Sequence, residues 1–251
     1  MNETLEAMAR AIFKDWFVDF GPTRAKAEGR EPYLPTELWN LFPDAFDNWN
    51  QPAGWKLGTL ADISDSPRRS ISPADVAKET PYIGLEHMPR HSIALSKWEG
   101  ARKVKSGKSI FKKGELLFGK LRPYFHKVGF APLDGICSTD IVVVIPRASD
   151  WAAFTLACLS SDEFVNYTDQ TSTGTKMPRT NWKTMEQYKI SLPSEQVARA
   201  FQSLAQPLIE RVSTNIHESR TLAQTRDLLL PKLMSGEIRL SEAKETVEAI
   251  V

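Results

Sequence analysis

The sequence predicts an α+β chain, with one mixed α/β domain held between two long amphipathic helices. Three observations predict it. Apolar residues recur at helical spacing from Leu5 to Phe20, they do so again after Pro193, and the text between is short apolar runs separated by turn residues.

Taken in order, Leu5, Met8, Ala9, Ile12, Phe13, Trp16, Phe17 and Phe20 form one stripe, which predicts a helix over residues 1–20 stopped by Gly21-Pro22. Three Phe and one Trp on that stripe need a cover. Residues 21–54 are broken by five prolines, but LWNLFPDAFDNW predicts a connecting segment packed on the domain. Within residues 55–193, ELLFGK, KVGFAP, DIVVVIP and QYKISLP predict strands, and VVVI, apolar on both faces, is central. Residues 151–167 place Trp151, Phe154, Cys158, Leu159 and Val165 on one helical face, which predicts a single helix. In residues 194–240, Ser194 is the N-cap before Val197, Phe201, Leu204, Leu208, Val212 and Ile216. Pro207 predicts a kink or a break, and the second stretch runs through Leu222 to Leu230 before ending between Pro231 and Gly236. Residues 241–251 are a charged tail. The economical arrangement pairs the two helices as a protruding spacer, each covering the other's stripe; the alternative packs both on the sheet. Leu5, Met8, Ile12, Phe13, Trp16, Leu208, Val212, Ile216, Leu222 and Leu229 are the oligomer or partner contacts in the first arrangement.

With 251 residues, 41% hydrophobic and 25% charged, the chain is ordinary globular material. It has no apolar run long enough for a membrane span and opens Met-Asn-Glu-Thr, so the expectation is cytoplasmic. Cys137 and Cys158 have no histidine at ligand spacing and are expected to be buried hydrophobes. The four histidines do not form a metal cage by spacing; His87 and His91 are four apart, but Pro89 intervenes. GELLFGKL lacks the Lys-Ser/Thr ending of a phosphate loop, and no Gly-x-Gly-x-x-Gly or Gly-x-Ser-x-Gly appears. Glu242-Ala243-Lys244 lacks the upstream acidic partner of a nuclease site. The expectation is therefore no catalytic residue, no cofactor and no metal.

Charge is the stronger signal. The chain's net charge is +1, yet residues 101–130 hold nine Lys or Arg against one Glu. Such concentration fits a polyanion, because each neutralised phosphate releases counterions; a solvated surface loop is the plain alternative. FGKLRPYFHKVGF, residues 118–130, carries Lys120, Arg122 and Lys127, and Lys105 and Lys108 lie upstream. Two polar segments add DNA-contact candidates: Ser66 to Ser70 with Arg68 and Arg69, and TSTGTKMPRTNWK with Thr173, Lys176, Arg179 and Asn181. Hydroxyls, an amide and cations on a loop suit the reading of base edges and phosphates, though a bracing role at the domain end is equally open.

The strings ETLEAMARAIFKDWFVDFGPTRAK (3–26), YIGLEHM (82–88), GELLFGKLRPYFHKV (114–128), GICSTDIVVV (135–144), MPRTNWK (177–183) and SRTLAQTRDLLLPKLMSGEIRL (219–240) together resemble the specificity subunit of type I restriction-modification systems. The resemblance implies a non-catalytic reader of double-stranded DNA. It also implies helices that space two recognition domains and dock modification subunits, with a restriction subunit joining through the complex. This chain departs from that plan by carrying one recognition domain, so a half-length form acting as a two-fold homodimer on a palindromic split site is expected. The resemblance places Lys120 and Arg122 on the DNA-facing side, with Tyr124 and Phe125 packed. A stand-alone DNA-binding regulator and a helical scaffold with an incidental basic patch are the competing expectations.

Overall fold

A computed structural model describes residues 1–248; the last three residues of the 241–251 tail lie outside it. The first stripe folds as α1 (Asn2–Phe13), continued by one π turn over Lys14–Val18. Phe20, at φ 53°, ends the run, and Pro22 lies in the first turn of α2 (Gly21–Ala27), where its missing N–H costs no hydrogen bond. A short α3 (Thr36–Trp39) follows.

The domain proper begins with β1 (Lys56–Thr59), α4 (Leu60–Ile63), β2 (Ser64–Asp65) and β3 (Ser70–Ile71). It continues through β4 (Pro81–Ile83), β5 (Glu99–Gly100), β6 (Lys108–Phe111) and β7 (Leu116–Gly119). Then come β8 (Val128–Phe130), β9 (Gly135–Cys137) and β10 (Ile141–Pro146). The helices α5 (Ala152–Leu159), α6 (Asp162–Gln170) and α7 (Trp182–Met185) precede β11 (Lys189–Leu192). Two helices close the chain, α8 (Glu195–Ser235) and α9 (Leu240–Glu248).

Three sheets result, with orders β1-β11, β2-β10-β7-β8 and β3-β6-β9-β4-β5; β4 and β9 are parallel and the other pairs antiparallel. The four strands predicted from sequence are β7, β8, β10 and β11. As predicted, β10 is internal: Val142 and Val144 point into a large core shared with the helices, whereas Ile141 and Val143 point into a second core with Phe111 and Cys137.

Four expectations are corrected. Residues 151–167 form two helices, because Ser160 ends α5 and the Ser161 hydroxyl caps α6 by accepting from the Phe164 N–H. Pro207 leaves α8 continuous over 41 residues, capped by Ser194 at one end and by left-handed Gly236 at the other. Residues 241–248 of the expected tail are helical, as part of α9, which packs back on α8.

The fourth correction concerns the aromatic stripe. The helices α1 and α8 do pair, and Asn215 Nδ2 donates to Asn2 Oδ1 at 2.7 Å across that pair. However, the stripe is also closed by the domain and the connecting segment: Phe13 meets Phe154 at 5.1 Å, Phe17 meets Phe154 at 4.8 Å, and Trp16 meets Phe42 at 4.9 Å between ring centroids. Trp16 is 2% exposed, and Phe13, Val212, Ile216 and Leu229 are likewise buried within this one chain. They are core residues and need no second copy to cover them. Leu5, Ile12 and Leu208 are partly buried, while Met8 and Leu222 remain exposed.

Candidate nucleic-acid interface

The segment that leaves β7 does not run freely to β8. The Lys120 N–H donates to the Asp140 carbonyl at 2.9 Å, and the Lys120 carbonyl accepts from the Thr180 N–H at 3.0 Å. Arg122 takes a left-handed conformation at φ 51° and donates its N–H to the Pro178 carbonyl at 2.8 Å. A 3-10 turn over Pro123–Phe125 follows and ends at His126, also left-handed at φ 50°. On the other side, Thr173 and Arg179 exchange backbone hydrogen bonds of 3.0 and 2.9 Å, closing a small loop through Lys176. Gly174, at φ 97°, makes that turn without the cost a Cβ would add. Backbone bonding thus joins the two candidate loops into one surface.

On this surface Lys120 is partly exposed, Lys176 and Thr173 are exposed, and Arg179 is exposed with its Nε 3.4 Å from Asp140 Oδ1. Arg122 directs Nη2 to the Lys176 carbonyl at 3.4 Å, while its Nε and the Thr180 hydroxyl are buried without a hydrogen-bond partner among the described residues. Four cations on one joined pair of loops can grip phosphates along a duplex. Tyr124, expected to pack, is half exposed; Phe125 packs beneath Arg90, whose guanidinium lies 3.9 Å from the ring centroid. Asn181 is committed to structure: its side chain accepts from the Thr184 N–H at 3.1 Å as the cap of α7.

Three predicted DNA contacts turn inward. Lys108 is 9% exposed, and its ammonium donates to the Ser106 hydroxyl at 2.7 Å and the Ser106 carbonyl at 3.0 Å. Lys127 donates to the Leu85 carbonyl, and burial, with the Arg90 guanidinium adding to it, holds its pKa below the ordinary lysine value. Arg69 is paired with Glu115. Arg68 and Lys105 are exposed, and so remain open to solvent.

Sequence reasoning missed Asp140, which anchors both loops, and Arg90, whose place beside Phe125 no local pattern signals. It also missed a cluster. His91, His126 and Asp162 come from three separate segments, and their ligand atoms lie within 4.8 Å of one another, the one such group among the described residues. Spacing rules detect ligands on one element, so they could not register this set. The cysteines are as expected: burial pushes the thiols of Cys137 and Cys158 up to about 12. No helix among the described residues is long and apolar enough to cross a membrane.

A family model for the type I restriction modification DNA specificity domain matches residues 52–210. The chain is 27% identical to the type I restriction enzyme MjaIX specificity subunit of Methanocaldococcus jannaschii, over 96% of this chain and 54% of that one. It is 25% identical to the HindI specificity subunit of Haemophilus influenzae, over 95% and 62%. It therefore spans a little over half the length of these curated relatives. Among solved structures, a chain from a study of complex assembly and conformational transition of the type I R-M system superposes with a TM-score of 0.52 at 22% identity, covering 74% of this chain and 50% of that one. The type I restriction-modification S subunit from M. genitalium gives 0.51 at 15% identity, covering 92% and 56%. Both likenesses concern the fold.

Proposed function

Because the chain belongs to the type I restriction modification DNA specificity family, we propose that it reads one half of a split target in double-stranded DNA and contributes no catalytic group of its own. Recognition is assigned to residues 55–193 and docking of a modification subunit to the helices at 1–20 and 194–240. A restriction subunit joins through that complex, and the assembly works on DNA in the cytoplasm. The observation that carries this reading is the joining of residues 120–122 to 173–180 by backbone hydrogen bonds, which gathers Lys120, Arg122, Lys176 and Arg179 on one face.

The chain spans about half of its curated relatives, which supports a second element of the proposal: two copies, related by a two-fold axis, restore a pair of recognition domains over a palindromic split site. With the stripe of α1 buried, such a dimer would form through exposed apolar residues of α8, among them Leu222, Leu228 and Leu230.

Selection of bound DNA from a random pool, by the chain alone and with its modification subunit, tests both elements. A split palindrome supports the dimer, and a single half-site supports recognition by one domain. Absence of enrichment in both arms rejects the DNA-reading role.

A further inference from the structure

We propose that His91, His126 and Asp162 form a binding site for one divalent transition-metal ion, with Zn2+ the best fit to the donor set. The argument starts from the buried ring of His126. Its Nε2 lies 2.9 Å from the Ser160 carbonyl, and a carbonyl can only accept, so Nε2 carries the hydrogen. The other ring nitrogen, Nδ1, faces Asp162 Oδ1 at 3.4 Å. That is longer than the roughly 2.7–3.2 Å of an N–H···O hydrogen bond. It matches the edge of about 3.3 Å between two ligands bonded at about 2.0–2.1 Å to a tetrahedral zinc. A lone pair opposite a carboxylate is favourable when a cation lies between them.

The third donor is already alongside. The rings of His91 and His126 stand 4.5 Å apart between centroids, and the His91 N–H donates to the His126 carbonyl at 3.0 Å. Both residues hold left-handed backbones, at φ 55° and 50°, a conformation that costs free energy for any residue with a Cβ and that clusters at functional sites. The neighbouring loop is fixed from below: the buried Glu6 carboxylate accepts from the Ser92 hydroxyl at 2.8 Å and the Ile93 N–H at 2.9 Å. Because His91 and Asp162 are exposed, side-chain rotation can bring all donors, now within 4.8 Å of each other, to ligand distances.

The surroundings fit a metal ligand in one further way. A coordinating histidine typically donates its second ring N–H to a carbonyl or carboxylate, as His126 does to Ser160. Two imidazole nitrogens and one carboxylate oxygen select Zn2+ and its transition-metal neighbours over Ca2+ or Mg2+, which prefer oxygen donors. A fourth position is left for water. An ion here would tie the 91–93 loop, the α5–α6 turn and the loop that begins at Arg122, making it a positioning site for the basic surface and not a reaction centre.

The test uses the full chain without a histidine tag, stripped with chelator and titrated with Zn2+ by calorimetry and with Co2+ by absorption spectroscopy. Expected are one ion per chain, the visible bands of tetrahedral Co2+, a zinc-dependent rise in melting temperature, and at least tenfold weaker binding in His91→Ala and in Asp162→Ala. Both sites are exposed, so folding is preserved. His217→Ala, away from the cluster, should bind as the parent does. Fewer than half an ion per chain, or parent-like binding within tenfold in both cluster variants, overturns the proposal.

Discussion

The Thr180 N–H donates to the carbonyl of Lys120 at 3.0 Å, so two loops far apart in sequence are joined into one surface. The side chain of Lys120 projects from this joint without an acidic partner among the described residues. Lys120→Ala should weaken binding to every DNA sequence alike and reduce the slope of log affinity against log salt by about 0.9. Lys108→Ala should leave that slope unchanged, since its ammonium is spent on Ser106. Binding titrations at four or five salt concentrations separate the two; equal slopes for parent and Lys120→Ala would rule out the phosphate contact.

Arg179 and Asn181 are two residues apart and should fail differently. Arg179 is exposed and held in aim by Asp140, so Arg179→Ala is expected to relax preference at one base pair, by about 1–3 kcal/mol of discrimination. Asn181→Ala removes the cap of α7, which is expected to cost about 1 kcal/mol of stability while leaving sequence preference intact. Sequencing of selected DNA alongside urea unfolding reports both quantities.

Trp16 is enclosed by Phe17, Phe42 and Phe201. Trp16→Ala should therefore destabilise the single chain by about 3–5 kcal/mol, with an unfolding midpoint independent of protein concentration. Dependence of that midpoint on concentration would show instead that the stripe is completed by a second copy.

Cys137 and Cys158 offer a check on the cores. A thiol reagent attacks the thiolate, and a pKa of about 12 leaves about one part in ten thousand ionised at pH 8. Raising the pH from 7 to 9 should leave both unlabelled in the folded chain, with two thiols titrating once urea is added. Rapid labelling of the folded protein would show that the cores open to solvent.

What the sequence made legible was whatever is periodic or locally capped. The stripe of α1, the strands β7, β8, β10 and β11, and the Ser194 cap all express themselves within a few residues. The Ser160-Ser161 break was hidden because both flanking helices bury apolar faces in the same core, so the hydrophobic spacing carries across it. For the interface, charge density found Lys120 and Arg122 but could not distinguish them from Lys108 and Lys127. All four are cations near strand ends, and only the fold decides that the ammonium groups of Lys108 and Lys127 turn inward to carbonyls. The meeting of His91, His126 and Asp162 was illegible for the same reason, since it depends on three turns and no repeat.

The docking of Phe13, Trp16 and Phe17 against Phe201 has a consequence for the order of events at the ribosome. At about 5–20 residues per second, the first helix emerges roughly 10 to 40 s before its partner ring on α8 is made. During that interval these three large aromatic side chains lack their cover on α8. The early chain is thus a client for any holdase that binds apolar segments, and synthesis of α8 releases it.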